Sequence, residues 1–489
     1  TAQIAADPAL TGGVREALAA GTPPVAAVRA VVGRFAEMFA AAGGLLAERV
    51  TDLHSVRDRV VAALLEAPAP GVPALTAPSV VVARDLAPAD TAALDLDLVL
   101  AIVTEVGGPT GHTAIIAGQL GLACLVQVPG VTEVPDGTTV LVDGRAGTLV
   151  VDPGPDAVAL VAERAAAEEA LEGDTEPAAT ADGHRVDLLA NIGTAADAER
   201  AAAATDARTV AGSGLFRTEV LFLDATTAPT VADQQREYAA ALAAFGDRKV
   251  VVRTLDAGAD KPLAFATLPD EENPALGVRG YRIGRAHPHL LTDQLTALAA
   301  AAAQTGTEPW VMAPMISTPA EARAFAAAAR AAGLTRVGVM VEVPAAALRA
   351  GEVLAEVDFV SIGTNDLAQY TMASDRLRGE LADLLDRWQP AVLDLVASTA
   401  SAGADLGKPV GVCGESAADP LMALVLVGLG ITSLSMAPGA VPAVRSALRA
   451  HTHEQCRAMA RAARTAADPE SARAAVAALL APEVAALLA

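Results

Sequence analysis

The pattern of apolar and polar positions changes twice along the chain. Residues 8–67 repeat apolar side chains at helical spacing, and Asp7-Pro8 offers a capping residue followed by a first-turn proline. A proline-rich stretch, residues 68–78, then interrupts the helical pattern. Beyond it the sequence predicts short strands, over residues 79–83, 98–103, 123–126 and 138–142, and a helix over residues 155–171. We therefore expect a helical segment followed by a small α/β module.

From residue 186 onward, predicted strands and helices alternate. The strands are expected over residues 186–192, 209–211, 249–254, 310–315, 336–341, 359–363, 409–413 and 432–436. Eight such units in about 300 residues are typical of a TIM barrel. The predicted fold class is α/β, with a C-terminal (β/α)8 barrel behind a smaller module and a partial helical domain. The predicted boundaries are 1–67 (helical), 78–152 (α/β), 153–182 (helix and hinge) and 183–489 (barrel).

Composition narrows the class of protein. The 489 residues fit about three domains at the usual domain size. A net charge of -23 argues against binding to nucleic acid, which needs a basic surface. Three cysteines at unrelated spacings predict neither a disulfide framework nor a metal knuckle, in keeping with a cytoplasmic location. Residues 421–444 carry no charge, but glycines and prolines break them, so a helix, turn and buried strand are predicted there and no membrane insertion.

One histidine stands at a glycine-rich turn. In the segment GGPTGHTAII, residues 107–116, His112 lies in the turn between the end of a predicted strand and the start of a predicted helix. The first N–H groups of a helix are unpaired, and the helix dipole favours an anion there. A neutral imidazole beside such a site can accept a phosphoryl group. A purely structural histidine in a loop is the alternative.

Several polar side chains follow the predicted barrel strands. Barrel enzymes carry out their chemistry at the carboxyl ends of the strands. Guanidinium groups bind phosphate and carboxylate, although surface salt bridges would also explain them. Two carboxylates at neighbouring strand ends suit Mg²⁺, or else form a hydrogen-bonded pair at the rim. A thiol at a strand end can act as a general acid. The guanidinium candidates are Arg217, Arg253, Arg279 and Arg376. The two carboxylates are Glu342 and Asp366, and the thiol is Cys413.

Taken together, the motifs resemble enzyme I of the phosphoenolpyruvate:sugar phosphotransferase system. Besides GGPTGHTAI, they are GLFRTE (214–219), VRTLD (252–256), EENP (271–274) with Gly277 and Arg279, MVEVPA (340–345), SIGTNDL (361–367), QYT (369–371), DR (375–376) and CGE (413–415). They occur in one order over essentially the whole chain, which makes the resemblance specific.

The resemblance implies a role for each candidate. His112 would be phosphorylated on a swivelling domain, and Cys413 would protonate the enolate to release pyruvate. Glu342 and Asp366 would hold Mg²⁺. The helical segment would belong to a docking domain for the phosphocarrier protein HPr, and the barrel would form a homodimer. The residues that would hold phosphoenolpyruvate are Arg217, Arg253, Arg279, Asn365 and Arg376. Because the sequence begins at Thr1, inside the region of resemblance, we expect the native protein to be longer.

Two alternatives stay open at this stage. A dikinase or synthase related to pyruvate, phosphate dikinase has the same order of swivelling domain and barrel, but it needs a nucleotide-binding domain for which the sequence has no P-loop. A regulatory relative could sense phosphoenolpyruvate without turning it over. The complete set of arginine, carboxylate and cysteine residues argues against that second alternative.

Overall fold

The computed structural model describes residues 7–42, 50–67, 75–86, 94–95, 98–107, 113–114, 117, 122–144, 147–172, 176–204, 209–222, 225–258, 263–268, 271–376, 378–482 and 484. The chain divides into two compact units, Thr1–Ala162 and Glu163–Ala489. The finer domain boundaries expected from the sequence stay predictions.

The first unit begins with three helices, α1 (Pro8–Ala19), α2 (Pro24–Ala42) and α3 (Val50–Leu64). Asp7 caps α1 as predicted, because its carboxylate accepts hydrogen bonds from the amides of Ala9 and Leu10. The three helices share a small apolar core, in which Val31 and Leu53 are almost completely buried. The helical spacing of the apolar residues predicts such a shared core.

A small sheet follows in the same unit. Strands β1 (Ser79–Ala83), β2 (Val99–Thr104) and β3 (Ala123–Leu125) pair in parallel in chain order. β4 (Val140–Asp143) and β5 (Thr148–Val151) form an antiparallel pair. β5 was not predicted from the sequence. The long helix α4 (Pro155–Glu172) comes next, at the position that its alanine-rich pattern predicts.

The second unit is a closed barrel of eight parallel strands, which confirms the predicted fold class. The first and last strands close the ring, with Leu434 opposite Leu188. One strand lies elsewhere than predicted, over 212–217 and not over 209–211. The strands are β6 (Asp187–Ile192), β7 (Gly212–Arg217), β8 (Lys249–Arg253), β9 (Trp310–Ala313), β10 (Arg336–Val341), β11 (Phe359–Ile362), β12 (Val410–Val412) and β13 (Ser433–Met436).

Helices surround this ring. Those between strands are α5 (Ala195–Ala204), α6 (Val231–Phe245), α7 (Pro288–Thr305), α8 (Pro319–Ala331), α9 (Pro344–Leu348), α10 (Ala350–Glu356), α11 (Thr364–Met372), α12 (Pro390–Leu406) and α13 (Pro420–Gly428). After β13 come α14 (Val441–Arg449), α15 (His453–Thr465) and α16 (Pro469–Ala477). Helix, turn and buried strand occupy residues 420–436, as the punctuated apolar run predicts. In the described part of the chain, no helix has the length and apolar character that crossing a bilayer requires.

Alternation along each strand divides the side chains between two environments. On β8, Val250 and Val252 belong to the large core between strands and helices, whereas Val251 joins a second cluster with Met312 and Met340. Successive residues of a strand point to opposite faces, so this second cluster fills the inside of the barrel. Arg253, two residues beyond Val251, therefore points to the inside at the carboxyl end of the ring.

Candidate active site

The barrel brings most of the predicted residues to one edge. Arg217 and Arg253 are the last residues of β7 and β8. Glu342 and Cys413 directly follow β10 and β12, and Asp366 lies in the first turn of α11, after β11. Because all eight strands run parallel, these residues share the carboxyl edge, where barrel enzymes bind substrate.

Asp366 is the centre of a buried ion-pair network. One carboxylate oxygen accepts a hydrogen bond from Arg279 Nη1 at 3.1 Å, and the other accepts one from Arg376 Nη1 at 3.3 Å. Only 1% of the Arg279 side chain is exposed, and its Nη2 lies 3.4 Å from Asp256 Oδ1. Such buried guanidinium groups persist only with charged partners, and a bound anion can serve as one. The network is therefore suited to hold phosphate or carboxylate groups.

Arg253 extends this network toward β7. Its guanidinium is bonded to Glu219 and lies 3.0 Å (Nη1) from Asp256 Oδ2. Burial favours the neutral form, but the carboxylates of Glu219 and Asp256 outweigh burial, so the pKa of Arg253 is raised. Arg253 is therefore a permanent cation. Its buried Nε has no hydrogen-bond partner among the described residues, so one donor is available for a ligand.

Glu342 is a fully buried carboxylate with both carboxylates and guanidinium groups near it. Its Oε1 accepts a 2.6 Å hydrogen bond from the amide of Met315. Burial, together with the neighbouring carboxylates of Asp366 and Asp256, raises the pKa of Glu342 to about 8, against the opposing guanidinium groups of Arg253 and Arg279. Without another cation close by, the ionised form of Glu342 is therefore disfavoured at neutral pH.

Glu342 and Asp366 fit a divalent cation. A cation between them would offset the same repulsion that raises the pKa of Glu342. Mg²⁺ is commonly held by one or two carboxylates, with water and substrate oxygens in the remaining positions. The described residues include no group of three or more His, Cys, Asp or Glu side chains that could hold a metal ion. The oxygens of Asp366 that bond to arginine each retain a second lone pair.

Gly363 leaves the space that the Glu342 carboxylate occupies. A Cβ atom at Gly363 would lie 2.8 Å from Glu342 Oε2 and 3.1 Å from Met340 Sδ. We expect Gly363→Ala to displace the carboxylate and to reduce turnover by about 10- to 100-fold, the usual cost of a misplaced site group. Steady-state turnover at several concentrations of divalent cation measures the loss.

The matched control is Gly351→Ala. No atom lies within 4 Å of a Cβ atom at Gly351, which is in the short helix α10. Alanine is the better helix former, so this variant should keep the full rate. If Gly363→Ala turned over as fast as Gly351→Ala, the tight approach to Glu342 would have no functional role.

Cys413 is a buried thiol beside this network. Only 3% of the residue is exposed, and its Sγ lies 3.7 Å from the carbonyl oxygen of Ile362. Burial raises the pKa of Cys413, while the Ser361 hydroxyl and the guanidinium of Arg253 act in the opposite direction. The thiol is therefore protonated at neutral pH. A protonated thiol at the edge of a cationic pocket can deliver a proton to a substrate carbanion.

Two predicted residues lie outside the ion-pair network. Arg217 is half-buried, and it has no hydrogen-bond or ion-pair partner in the part of the chain that the structure describes. Its positive charge nevertheless lowers the pKa of Cys413. Asn365 is exposed, and its side-chain oxygen accepts a 3.4 Å hydrogen bond from the amide of Glu415. Among the described residues, the Arg217 guanidinium and the side-chain nitrogen of Asn365 thus have donors available for a ligand at the mouth of the barrel.

His112 lies outside the described residues, so the turn expected there stays a prediction. Some residues on either side of it are described. β2 ends at Thr104, Gly107 has a φ of +100°, and Thr113 is helical, with its hydroxyl bonded to the carbonyl of Leu86 at 3.2 Å. Gly107 thus has a backbone conformation that other residues rarely adopt.

Sequence reasoning gave no role to three residues of the site. Asp256 and Glu219 pair with the arginines, and Gln294 supports the loop after β8. The side-chain oxygen of Gln294 accepts a 2.9 Å hydrogen bond from the amide of Leu255, and its Nε2 donates to the hydroxyl of Thr218 at 3.0 Å. Asp256 and Glu219 closely follow strand ends, so the rule that barrel enzymes carry out their chemistry at the carboxyl ends of the strands could have identified them. Gln294 lies within α7 and gives no comparable signal.

A second cysteine of the barrel unit is also buried. Cys456, on α15, is completely buried in the large core. Apolar neighbours raise the pKa of its thiol to about 12. It therefore behaves as an inert core residue.

Comparison with known proteins gives one consistent group. Residues 167–453 match the family model described as "PEP-utilising enzyme, PEP-binding domain", and residues 75–147 match "PEP-utilising enzyme, mobile domain". A "Phosphoenolpyruvate-protein phosphotransferase" of Streptomyces coelicolor is 52% identical over 99% of this chain and 86% of its own. One of the same name from Haloferax volcanii is 44% identical over 91% of this chain and 80% of its own. A "Multiphosphoryl transfer protein" of Xanthomonas campestris is 42% identical over 86% of this chain and 51% of its own.

Proposed function

The chain belongs to the enzyme I family of phosphoenolpyruvate-protein phosphotransferases, and from that premise we propose how its own residues perform the reaction. It is an enzyme that uses phosphoenolpyruvate as phosphoryl donor in the phosphotransferase system. Family members use a metal cofactor, and for this chain we propose Mg²⁺. The observation that carries the proposal is the pairing of the buried Asp366 carboxylate with the guanidinium groups of Arg279 and Arg376.

Arg217, Arg253, Arg279 and Arg376, together with Asn365, bind phosphoenolpyruvate in this proposal. The substrate carries a phosphate and a carboxylate, both of which match the fork of a guanidinium group. Arg217 and the unpaired Nε of Arg253 supply donors without disturbing an existing bond. Arg376 is one-quarter exposed, so it can turn from Asp366 toward the substrate.

The transfer itself is assigned to His112 and Cys413. The bond between phosphorus and the enol oxygen breaks, and a ring nitrogen of His112 accepts the phosphoryl group. The enolate that remains takes the thiol proton of Cys413 at its methylene carbon and leaves as pyruvate. Mg²⁺ on Glu342 and Asp366, when bound, supplies positive charge toward the phosphoryl oxygens. The arginines hold the substrate in line and exclude water from it.

Partner, assembly and location are proposed with the same reaction. HPr receives the phosphoryl group from His112, and α1 to α3 belong to the domain that docks it. The barrel forms the homodimer. A cytoplasmic location suits the three free cysteines, since thiols persist in a reducing compartment.

The test uses labelled phosphoenolpyruvate with Mg²⁺. The wild-type chain should gain acid-labile protein phosphate and release pyruvate. Asp366→Asn removes the charge that pairs with Arg279 and Arg376, so labelling should slow by about 100-fold, in the range found when a metal site loses a supporting group. Asp394→Asn is the control, because Asp394 is half-exposed in a surface pair with Arg464 and such pairs contribute little. Equal labelling of the two variants, or wild-type labelling in chelator, would contradict the assignment.

A further inference from the structure

Lys249 occupies the end of the barrel opposite the candidate active site. It is the first residue of β8, whereas Arg253 is the last. Its Nζ lies 3.9 Å from the ring centroid of Trp310 and 6.0 Å from that of Phe359. Trp310 and Phe359 are the first residues of β9 and β11. The ammonium group thus lies over the Trp310 ring at the amino end of the ring of strands, and the Phe359 ring packs against Trp310 with the two ring centroids 4.8 Å apart.

The charges around Lys249 do not offset the free-energy cost of burying its ammonium group. Asp187 is the carboxylate whose charge acts on it, and the two form no ion pair in the part of the chain that the structure describes. Arg336 lies against Trp310 with its guanidinium 5.7 Å from the ring, and Arg336 is itself paired with Glu308. Aromatic faces attract an ammonium ion, but they replace few of the hydrogen bonds that it loses with water. Burial accordingly lowers the pKa of Lys249 to about 8.

Lys408 provides an internal comparison. Its Nζ donates hydrogen bonds to the carbonyl oxygens of Leu354 at 2.6 Å and of Val357 at 2.7 Å. These bonds require the protons on the nitrogen, so they hold the lone pair out of reach. The chain has only three lysines, and the third, Lys261, lies outside the described residues. Lys249 and Lys408 can therefore be compared within one protein, because the Lys408 amine is hydrogen-bonded to carbonyl oxygens and the Lys249 amine lies against an aromatic ring.

Lys249 is one of the residues that line a small cavity. The other walls include Val251, Phe359, Gly411 and Ser433. Lys249 is only partly exposed, so a reagent must be small to reach it.

We propose that Lys249 is a covalent modification site that accepts acyl groups from small acyl phosphates. The neutral amine attacks the carbonyl carbon and forms the C–N bond of an amide. The bond between that carbon and the phosphate oxygen breaks, inorganic phosphate leaves, and the displaced Nζ proton passes to water. No oxidant or reductant is needed. The reaction depends on the neutral amine.

The experiment treats the full-length chain with acetyl phosphate and quantifies acetylation of each lysine by peptide mass spectrometry. At pH 7.5 a group of pKa about 8 is about one-quarter neutral, whereas an unperturbed lysine is about one-thousandth neutral. Part of that advantage is lost because a less basic amine is a weaker nucleophile. We therefore expect Lys249 to react at least about tenfold faster than Lys408. Its rate should rise with pH to a midpoint near 8.

Three results would overturn the proposal: equal rates at the two lysines, no product at Lys249 when Lys408 reacts, or a midpoint near the usual lysine range. Lys249→Arg serves as the control for peptide assignment, since it keeps the positive charge and removes the nucleophile. In that variant the product at residue 249 should vanish while labelling of Lys408 is unchanged. The wild-type comparison needs no variant, so a folding defect in Lys249→Arg cannot obscure the outcome.

Discussion

Replacing His112 with alanine is expected to abolish acid-labile labelling by phosphoenolpyruvate altogether. The proposed reaction has a single phosphoryl acceptor, so no other residue is expected to carry the label. Binding of phosphoenolpyruvate should persist, because the arginines that hold it belong to a barrel with its own core. Isothermal titration with phosphoenolpyruvate and Mg²⁺, beside the labelling assay, separates binding from transfer.

The matched control is His54→Ala. His54 belongs to the same unit of the chain as His112, in helix α3, but it lies on no glycine turn. Partial burial lowers the pKa of His54, so it is a neutral imidazole like the proposed acceptor. This variant should label like the wild-type chain. Label that remains on another histidine in His112→Ala would refute the assignment.

Replacing Cys413 with alanine should slow pyruvate formation by about 10²- to 10⁴-fold, the usual contribution of a positioned acid. Phosphoenolpyruvate should bind normally, since the arginines keep their partners. Because burial raises the pKa of the thiol, the proton donor persists as pH rises and is lost only above that raised pKa. The wild-type rate should therefore show no loss from this group between pH 6 and 8. Stopped-time assays of pyruvate over that range measure both effects.

Cys456→Ala is the control for this substitution. Cys456 is as deeply buried as Cys413, but it lies in the core beside α15, away from the strand ends. Both variants lose a buried thiol, so a general loss of stability would affect them alike. We expect full activity in Cys456→Ala. Unchanged pyruvate production in Cys413→Ala would mean that another group donates the proton.

The barrel could be predicted because its strands are short apolar runs separated by helical patterns. The exception is β7, whose residues Gly212, Ser213 and Gly214 have little preference for strands. Its glycines are required by packing and not by propensity. A Cβ atom at Gly214 would lie 2.5 Å from Ser435 Oγ, and one at Gly212 would lie 1.9 Å from the carbonyl oxygen of Lys249. Such contacts with other strands of the barrel cannot be read from the local sequence pattern.

The membership of the site could likewise be predicted, but its pairings could not. Parallel strands place their ends together, so Arg253, Glu342, Asp366 and Cys413 were expected at one edge. Which carboxylate meets which guanidinium depends on side-chain direction and on the loops. Arg279 illustrates this limit, because it reaches Asp366 from a loop 87 residues earlier in the chain.

The ion-pair network has a consequence for how the two ligands bind. Without them, Arg253, Arg279 and Arg376 are neutralised by carboxylates of the protein itself. An anion must compete with Asp366 for Arg376. A divalent cation that binds the Asp366 carboxylate weakens the ion pair between Asp366 and Arg376, so the Arg376 guanidinium becomes available to the anion. Each ligand therefore favours the arrangement of charges that the other requires. At the proposed site we therefore expect their binding to be cooperative, and by thermodynamic reciprocity each should strengthen the other by the same factor.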